Sequence, residues 1–123
     1  MSIELNHTIV RVRDKQAAAG FLAGILGLPV GAQTGVFVPV RLDNGVTLDY
    51  LDSAEVRSQH YAFLVGDADF DAAFARIRAA GIAYFADPGH ERAGEVNRNF
   101  GGRGCYFADP DGHNIELLTK VCG

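Results

Sequence analysis

Apolar residues follow two periods along this chain, and the periods alternate. A β-branched and aromatic run at 3–12 predicts a first strand, and a second such run at 60–65 predicts another. Each run is followed by a helical pattern. Ala18, Phe21, Leu22, Ile25 and Leu26 fall on one helical face, and Gly27 then Pro29 stop that helix. Phe70, Ala73, Phe74 and Ile77 do the same in a second helix, with Asp67 or Asp69 as the expected N-cap and Gly81 as the stop. Gly20 and Gly24 should weaken the first helix by up to about 1 kcal/mol each relative to Ala. Their expected use is close approach of the helix to a sheet. Three short strands are predicted after each helix, the last two forming a hairpin: 35–42 with 46–51, and 104–108 with 114–118. Asn44-Gly45 and Asp111-Gly112 are strong hairpin-turn dipeptides between them.

These elements repeat. An offset of 53 residues pairs His7 with His60, Val12 with Val65, Asp14 with Asp67 and Phe21 with Phe74. An offset of 67 pairs Asn44-Gly45 with Asp111-Gly112, and Asp49 with Glu116. The change of offset places roughly 14 extra residues in the second half, where the polar, Gly-rich stretch 88–102 accommodates them. The reading is a single α+β domain of two tandem βαβββ modules, about 1–53 and 54–123.

Strand parity then selects the chemistry. Side chains alternate across a strand. Ile115 and Leu117 share one face of the last strand, and Glu116 takes the other. Leu48 and Tyr50 likewise oppose Asp49, while Val10, Val12, Phe63 and Val65 oppose His7 and His60. Four ligand-type residues thus occupy equivalent mid-strand places on the helix-free face. His7, His60 and Glu116, with Asp49 as a possible fourth, suit one divalent metal ion: Fe, Mn, Ni, Zn or Co. A single mid-strand His is ordinarily a hydrogen-bonded core residue; its repetition together with the acids is what points to metal.

Composition narrows the class. The chain has 123 residues, 48% hydrophobic and 21% charged, enough for a packed core. Its formal charge of -4 and scattered cations argue against nucleic acid as a partner. The start carries no basic segment followed by an apolar run, so no signal peptide is expected and the expected location is the cytoplasm. The uncharged stretch 17–40 is long enough to span a bilayer, but Pro29, Gln33, Pro39 and five glycines interrupt it, so no membrane association is expected. Cys105 and Cys122 form no C-x-x-C pair and read as a buried small hydrophobe and a free thiol near the tail.

Two stretches resemble a known family. Phe21-Leu22-Ala23-Gly24-Ile25-Leu26-Gly27-Leu28 is similar to the first helix and exit of the vicinal oxygen chelate superfamily. Gly102 to Leu117, reading GRGCYFADPDGHNIEL, resembles its final hairpin. The resemblance implies two βαβββ modules in a cupped mixed sheet, helices on the outer face, around one metal held by His7, His60 and Glu116. It also implies a homodimer that builds each site from both chains. Extradiol dioxygenases and fosfomycin-resistance enzymes of the family use His, His and Glu. Glyoxalase I adds a Glu where this chain has Asp49. The implied chemistry is chelation of a small substrate through two adjacent oxygens.

A three-residue turn at Pro110-Asp111-Gly112 would set Tyr106 beside Glu116, making Tyr106 a candidate proton donor to bound oxygen. Asp109 and His113 are expected to serve that turn. The long polar loop contributes candidate substrate contacts: His90, Arg98, Asn99 and Arg103, the arginines by pairing with a carboxylate. The leading expectation is a metal-dependent enzyme resembling a ring-cleaving dioxygenase. A glyoxalase-like lyase or isomerase and a thiol transferase are the enzymatic alternatives, and a non-catalytic drug- or metal-binding protein the alternative of another class. The short link between Leu51 and Gln59 favours a homodimer in which His7 comes from one subunit and His60 with Glu116 from the other.

Overall fold

A computed structural model describes residues 2–121; Cys122 lies outside them. The chain divides into two compact units, Met1–Arg57 and Ser58–Gly123.

In the first unit, β1 (His7–Val12) leads into α1 (Lys15–Leu26), followed by β2 (Val38–Arg41) and β3 (Thr47–Asp52). The sheet order is β1-β3-β2, with β1 parallel and β2 antiparallel to β3. Asp14 caps α1, its carboxylate accepting from the Ala17 N–H at 3.1 Å. Gly27 closes the helix in the left-handed conformation at φ 72. Ala18, Ala19, Leu22, Ala23 and Ile25 are buried, as are Val10, Val12, Val38, Val40, Leu48 and Tyr50 on the sheet. Each fully buried Val or Leu contributes about 1.5–3 kcal/mol relative to exposure. The parity read from the sequence holds: Leu48 and Tyr50 are buried, and Asp49 between them is half-buried.

The second unit repeats the plan with β4 (His60–Leu64), α2 (Asp67–Ala79), β5 (Gly104–Ala108) and β6 (Asn114–Leu118), in sheet order β4-β6-β5. Phe63, Phe70, Ala73, Ile77, Cys105, Phe107, Ile115 and Leu117 form its core. Gly112 turns the β5–β6 hairpin at φ 82, and Gly45 turns the β2–β3 hairpin at φ 89. Two three-stranded mixed sheets with two helices make this an α+β fold of tandem βαβββ kind.

Several local expectations need correction. The N-cap of α2 is Gly66, with no side-chain cap bond, because the chain already turns helical at Asp67. Asp67 and Asp69 instead lie in the first turn, where a carboxylate favours the positive end of the helix dipole. Gly20 and Gly24 do not admit a close neighbour: a Cβ on either would meet nothing within 4 Å. The first of the three strands after each helix is pared to isolated bridges, Thr34↔Phe37 in one unit and Phe85↔Tyr106 and Phe85↔Ala93 in the other. The segment after α1 is broken by Pro29, Gly31 and Gly35, so β2 begins at Val38. Among the described residues no helix is long and apolar enough to cross a membrane, and the uncharged stretch 17–40 divides between α1 and β2.

Candidate metal half-sites

The parallel pairing of β4 with β6 sets His60 opposite Asn114 and Ala62 opposite Glu116. His60 and Glu116 share a face, and His60 Nε2 lies 2.9 Å from Glu116 Oε1. The side chains differ in exposure, 49% for His60 and 13% for Glu116, so the imidazole faces solvent while the acid sits deeper. The antiparallel β5–β6 register sets Tyr106 directly opposite Glu116. The Tyr106 ring stands 5.9 Å from the His60 ring, tilted by 50°. Burial, then the Glu116 charge and the hydrogen bond Tyr106 donates to it, then Asp87, push the Tyr106 hydroxyl up to about 12. At neutral pH it is a protonated donor.

The donor atoms of this pair fit a divalent metal. Two ligands bound at about 2.0–2.2 Å in adjacent positions on one ion stand about 3 Å apart, close to the separation found. An imidazole nitrogen with a carboxylate oxygen is also the donor set that Fe, Mn, Ni, Zn and Co accept. Among the described residues, no group of three or more His, Cys, Asp or Glu gathers around one point.

The first unit carries the same register. His7 pairs with Thr47, and Asp49 pairs with Ile9 two positions on. His7 therefore relates to Asp49 in strand register as His60 relates to Glu116. His7 is exposed and its Nδ1 lies 2.8 Å from Asn6 Oδ1. Opposite Asp49 on β2 stands Pro39, in the place that Tyr106 takes in the second unit.

The loop residues separate into three behaviours. His90 reaches β6. The Asp87 carboxylate gathers the Arg92 N–H at 2.7 Å and the Glu91 N–H at 3.0 Å, contacts that hold its own pKa below the usual value. The turn so formed carries His90 at φ 58, a left-handed conformation that costs a non-Gly residue energy. Its ring stacks on Phe85 at 4.3 Å and its Nε2 lies 2.8 Å from Asn114 Oδ1. Asn114 in turn donates to the Pro88 carbonyl at 3.1 Å. This orientation leaves its Oδ1 facing the His90 ring.

Arg103 faces α2 instead. Its guanidinium donates to Asp71 at 2.6 Å and to Asp67 at 3.2 Å, and lies 4.6 Å from the centre of the Phe70 ring. Arg98 and Asn99 are exposed beside the short 3-10 turn Asn99–Gly101, which the buried Asn97 anchors by donating to the Ala86 carbonyl at 2.8 Å. Phe85 and Asp87 carry no signal in the sequence, whereas Asn97 lies in the polar loop and Asn114 shares the parity of Glu116.

The comparisons agree with this architecture. The solved structure "Oxidase ChaP-H2" superposes with a TM-score of 0.98, at 60% identity, over 100% of this chain and 98% of that one. "Glutathione transferase FosA" of Serratia marcescens is 32% identical over 92% of this chain and 78% of the relative. "Metallothiol transferase FosB" of Shouchella clausii is 35% identical over 94% of this chain and 79% of the relative. A family model described as Glyoxalase/Bleomycin resistance protein/Dioxygenase superfamily matches residues 4–117. With that match spanning both repeated units, the chain belongs to this superfamily, the vicinal oxygen chelate proteins.

Proposed function

We propose that the protein is a metal-dependent enzyme that binds one divalent ion through His60, Glu116 and His7 and takes a small substrate through two adjacent oxygens. The observation that carries this reading is the 2.9 Å convergence of His60 Nε2 and Glu116 Oε1 beside the Tyr106 hydroxyl. His7, at the equivalent register of the repeated unit, is the third ligand. Asp49 is shorter than Glu116 by one methylene and contributes less. The ion would supply Lewis acidity toward the two substrate oxygens, and iron would add redox capacity.

The chain's own residues do the rest. Glu116 is held by His60 on one side and Tyr106 on the other, so the carboxylate is aimed before anything binds. Tyr106 stays protonated and donates a hydrogen bond to a developing oxygen charge. His90, fixed by Phe85 and Asn114, stands on the face shared with Glu116 as a substrate contact. Arg98 and Asn99 are exposed for the same use, whereas Arg103 already has two carboxylate partners.

An oxidative reaction of the dioxygenase kind is the favoured assignment, supported by the likeness to an oxidase at 60% identity. Thiol transfer is the second reading, supported by the two transferases at 32% and 35% identity. Metal analysis of the purified protein should find about one ion per chain. His60→Ala and Glu116→Ala should lose it, and Asp49→Ala should retain more than Glu116→Ala. Unchanged metal content in both His7→Ala and His60→Ala sinks the site, and a protein without metal points to a binding protein. Oxygen uptake on catechols by the iron-loaded form then separates oxidation from glutathione-dependent transfer. Assembly is tested by mixing His7→Ala with Glu116→Ala. A homodimer that shares ligands between copies regains one of the two sites in the heterodimer, by site counting. A monomer with full occupancy, or no recovery after subunit exchange, refutes sharing.

A further inference from the structure

His113 is buried to 1% exposure at the base of the β5–β6 turn. Backbone groups and the Asp109 carboxylate build that turn. The Asp109 carboxylate accepts from the Asp111 N–H at 2.9 Å and the His113 N–H at 2.8 Å. Backbone bonds from Gly112 to Asp109 and from Asp109 to His113, each 3.0 Å, complete it. The imidazole also reaches out of the turn. Its Nδ1 accepts from the backbone N–H of Gln59 at 3.0 Å. The Gln59 carbonyl accepts from the Asn114 N–H at 2.8 Å, and Ser58 Oγ donates to the Gly112 carbonyl at 2.8 Å. Gln59 is thus gripped through both its backbone groups, and the next residue is His60. Tyr61 meets the other side of the ring edge-on at 5.6 Å.

The first unit supplies an internal comparison. There the Thr47 N–H donates to the Asn6 carbonyl at 2.9 Å, the counterpart of the bond from Asn114 to Gln59. The residue in the place of His113 is Val46, which has no side-chain acceptor. The backbone of the residue before His7 has that carbonyl bond, its side chain meeting His7 Nδ1 at 2.8 Å; the backbone of the residue before His60 has the matching carbonyl bond and an imidazole on its N–H. The unit with the added grip is the one that carries His60 and Glu116 as a converged pair.

We propose that His113 is a positioning residue for His60: its imidazole, accepting from the Gln59 N–H through Nδ1, fixes the entry of β4 and so the aim of His60 at Glu116. The inference rests on the reading that His60 and Glu116 hold a metal. Groups that orient a ligand typically change metal affinity 10–100-fold when removed. Geometry dictates which replacement preserves the grip. An Asn at this position carries its Oδ1 where Nδ1 stands, whereas a Gln carries its oxygen nearer the place of Nε2, and Leu carries no acceptor.

The test compares wild type with His113→Asn, His113→Gln and His113→Leu. Mn2+ affinity is read from the electron paramagnetic resonance signal of the free aqueous ion. Nuclear magnetic resonance follows the Gln59 amide exchange rate and the His60 Nε2 resonance without metal. Protection of the Phe107 and Leu117 amides certifies that each variant is folded. The expected result is a Kd for His113→Asn within about threefold of wild type, and about 10–100-fold weaker binding for His113→Gln and His113→Leu. The last two should also show faster Gln59 exchange and a moved His60 resonance. Wild-type affinity in folded His113→Gln and His113→Leu, or equal losses in all three variants, overturns the proposal. Failure of the wild type to bind Mn2+ counts against the metal reading instead. The positioning role is then decided by the His60 resonance, and an unmoved resonance in His113→Leu overturns it.

Discussion

The two glycines inside α1 give the cleanest energetic test of the structure. Gly20 and Gly24 lie one helical turn apart in a 12-residue helix, both are exposed, and neither has positive φ. A Cβ built on either meets nothing within 4 Å, so Ala enters without strain. Replacing Gly by Ala in a helix interior is worth about 0.5–1 kcal/mol, much of it through lost freedom of the unfolded chain. The double variant should therefore gain about 1–2 kcal/mol. For a domain of this size that raises Tm by roughly 4–8 °C. Gly31→Ala is the opposing control, because its Cβ would fall 2.9 Å from Pro39 Cγ and 3.3 Å from the Pro39 carbonyl oxygen. It should lower Tm. Differential scanning calorimetry at fixed metal content reads the two single helix variants, the double variant and Gly31→Ala. A lowered or unchanged Tm in both single helix variants would refute the exposed placement of that face, and a raised Tm for Gly31→Ala would refute the close approach.

Asp14→Ala removes the N-cap bond to the Ala17 N–H of α1 and should cost about 1 kcal/mol, read from chemical denaturation at constant slope. Tyr106 has a folded-state pKa near 12 against an ordinary value near 10, so its stabilising contribution is complete below pH 10 and is lost as pH rises toward 12. Tyr106→Phe should flatten the stability profile across that window, and an unchanged slope would count against the burial and the Glu116 charge that raise its pKa. Burial, with the Glu116 charge second, pushes the Cys105 thiol up to about 12. In a Cys122→Ser background the folded protein should resist alkylation at pH 8 and react only on unfolding; rapid labelling of the native form would contradict the burial.

The hairpins were the most legible part of the fold. Asn44-Gly45 and Asp111-Gly112 demand left-handed glycines, and the structure has them at Gly45 and Gly112, with β5 and β6 at the bounds expected from the sequence. Strand parity also carried through, because burying Ile115 and Leu117 forces Glu116 to the other face. What failed to show was set by residues distant in sequence. Asp67 and Asp71 sit 36 and 32 positions before Arg103, and nothing in the local pattern reveals that the loop's last cation closes onto that helix. The strained turn at His90 depends on Asp87 gathering amides ahead of it, which a count of polar residues does not expose. The bridging segment at Phe85 is too short and too interrupted for a periodic signal.

Pro39 opposite Asp49, where Tyr106 stands opposite Glu116, has a consequence for how the chain tolerates change. The two units share one scaffold, but only the second has a hydroxyl across from its acid. The first presents a ring of carbon at that place. Substitutions at 39 and 49 should therefore be forgiven more readily than those at 106 and 116. Mutant libraries seeking new activity have room at 39 and 49, with His7 and the second unit left intact.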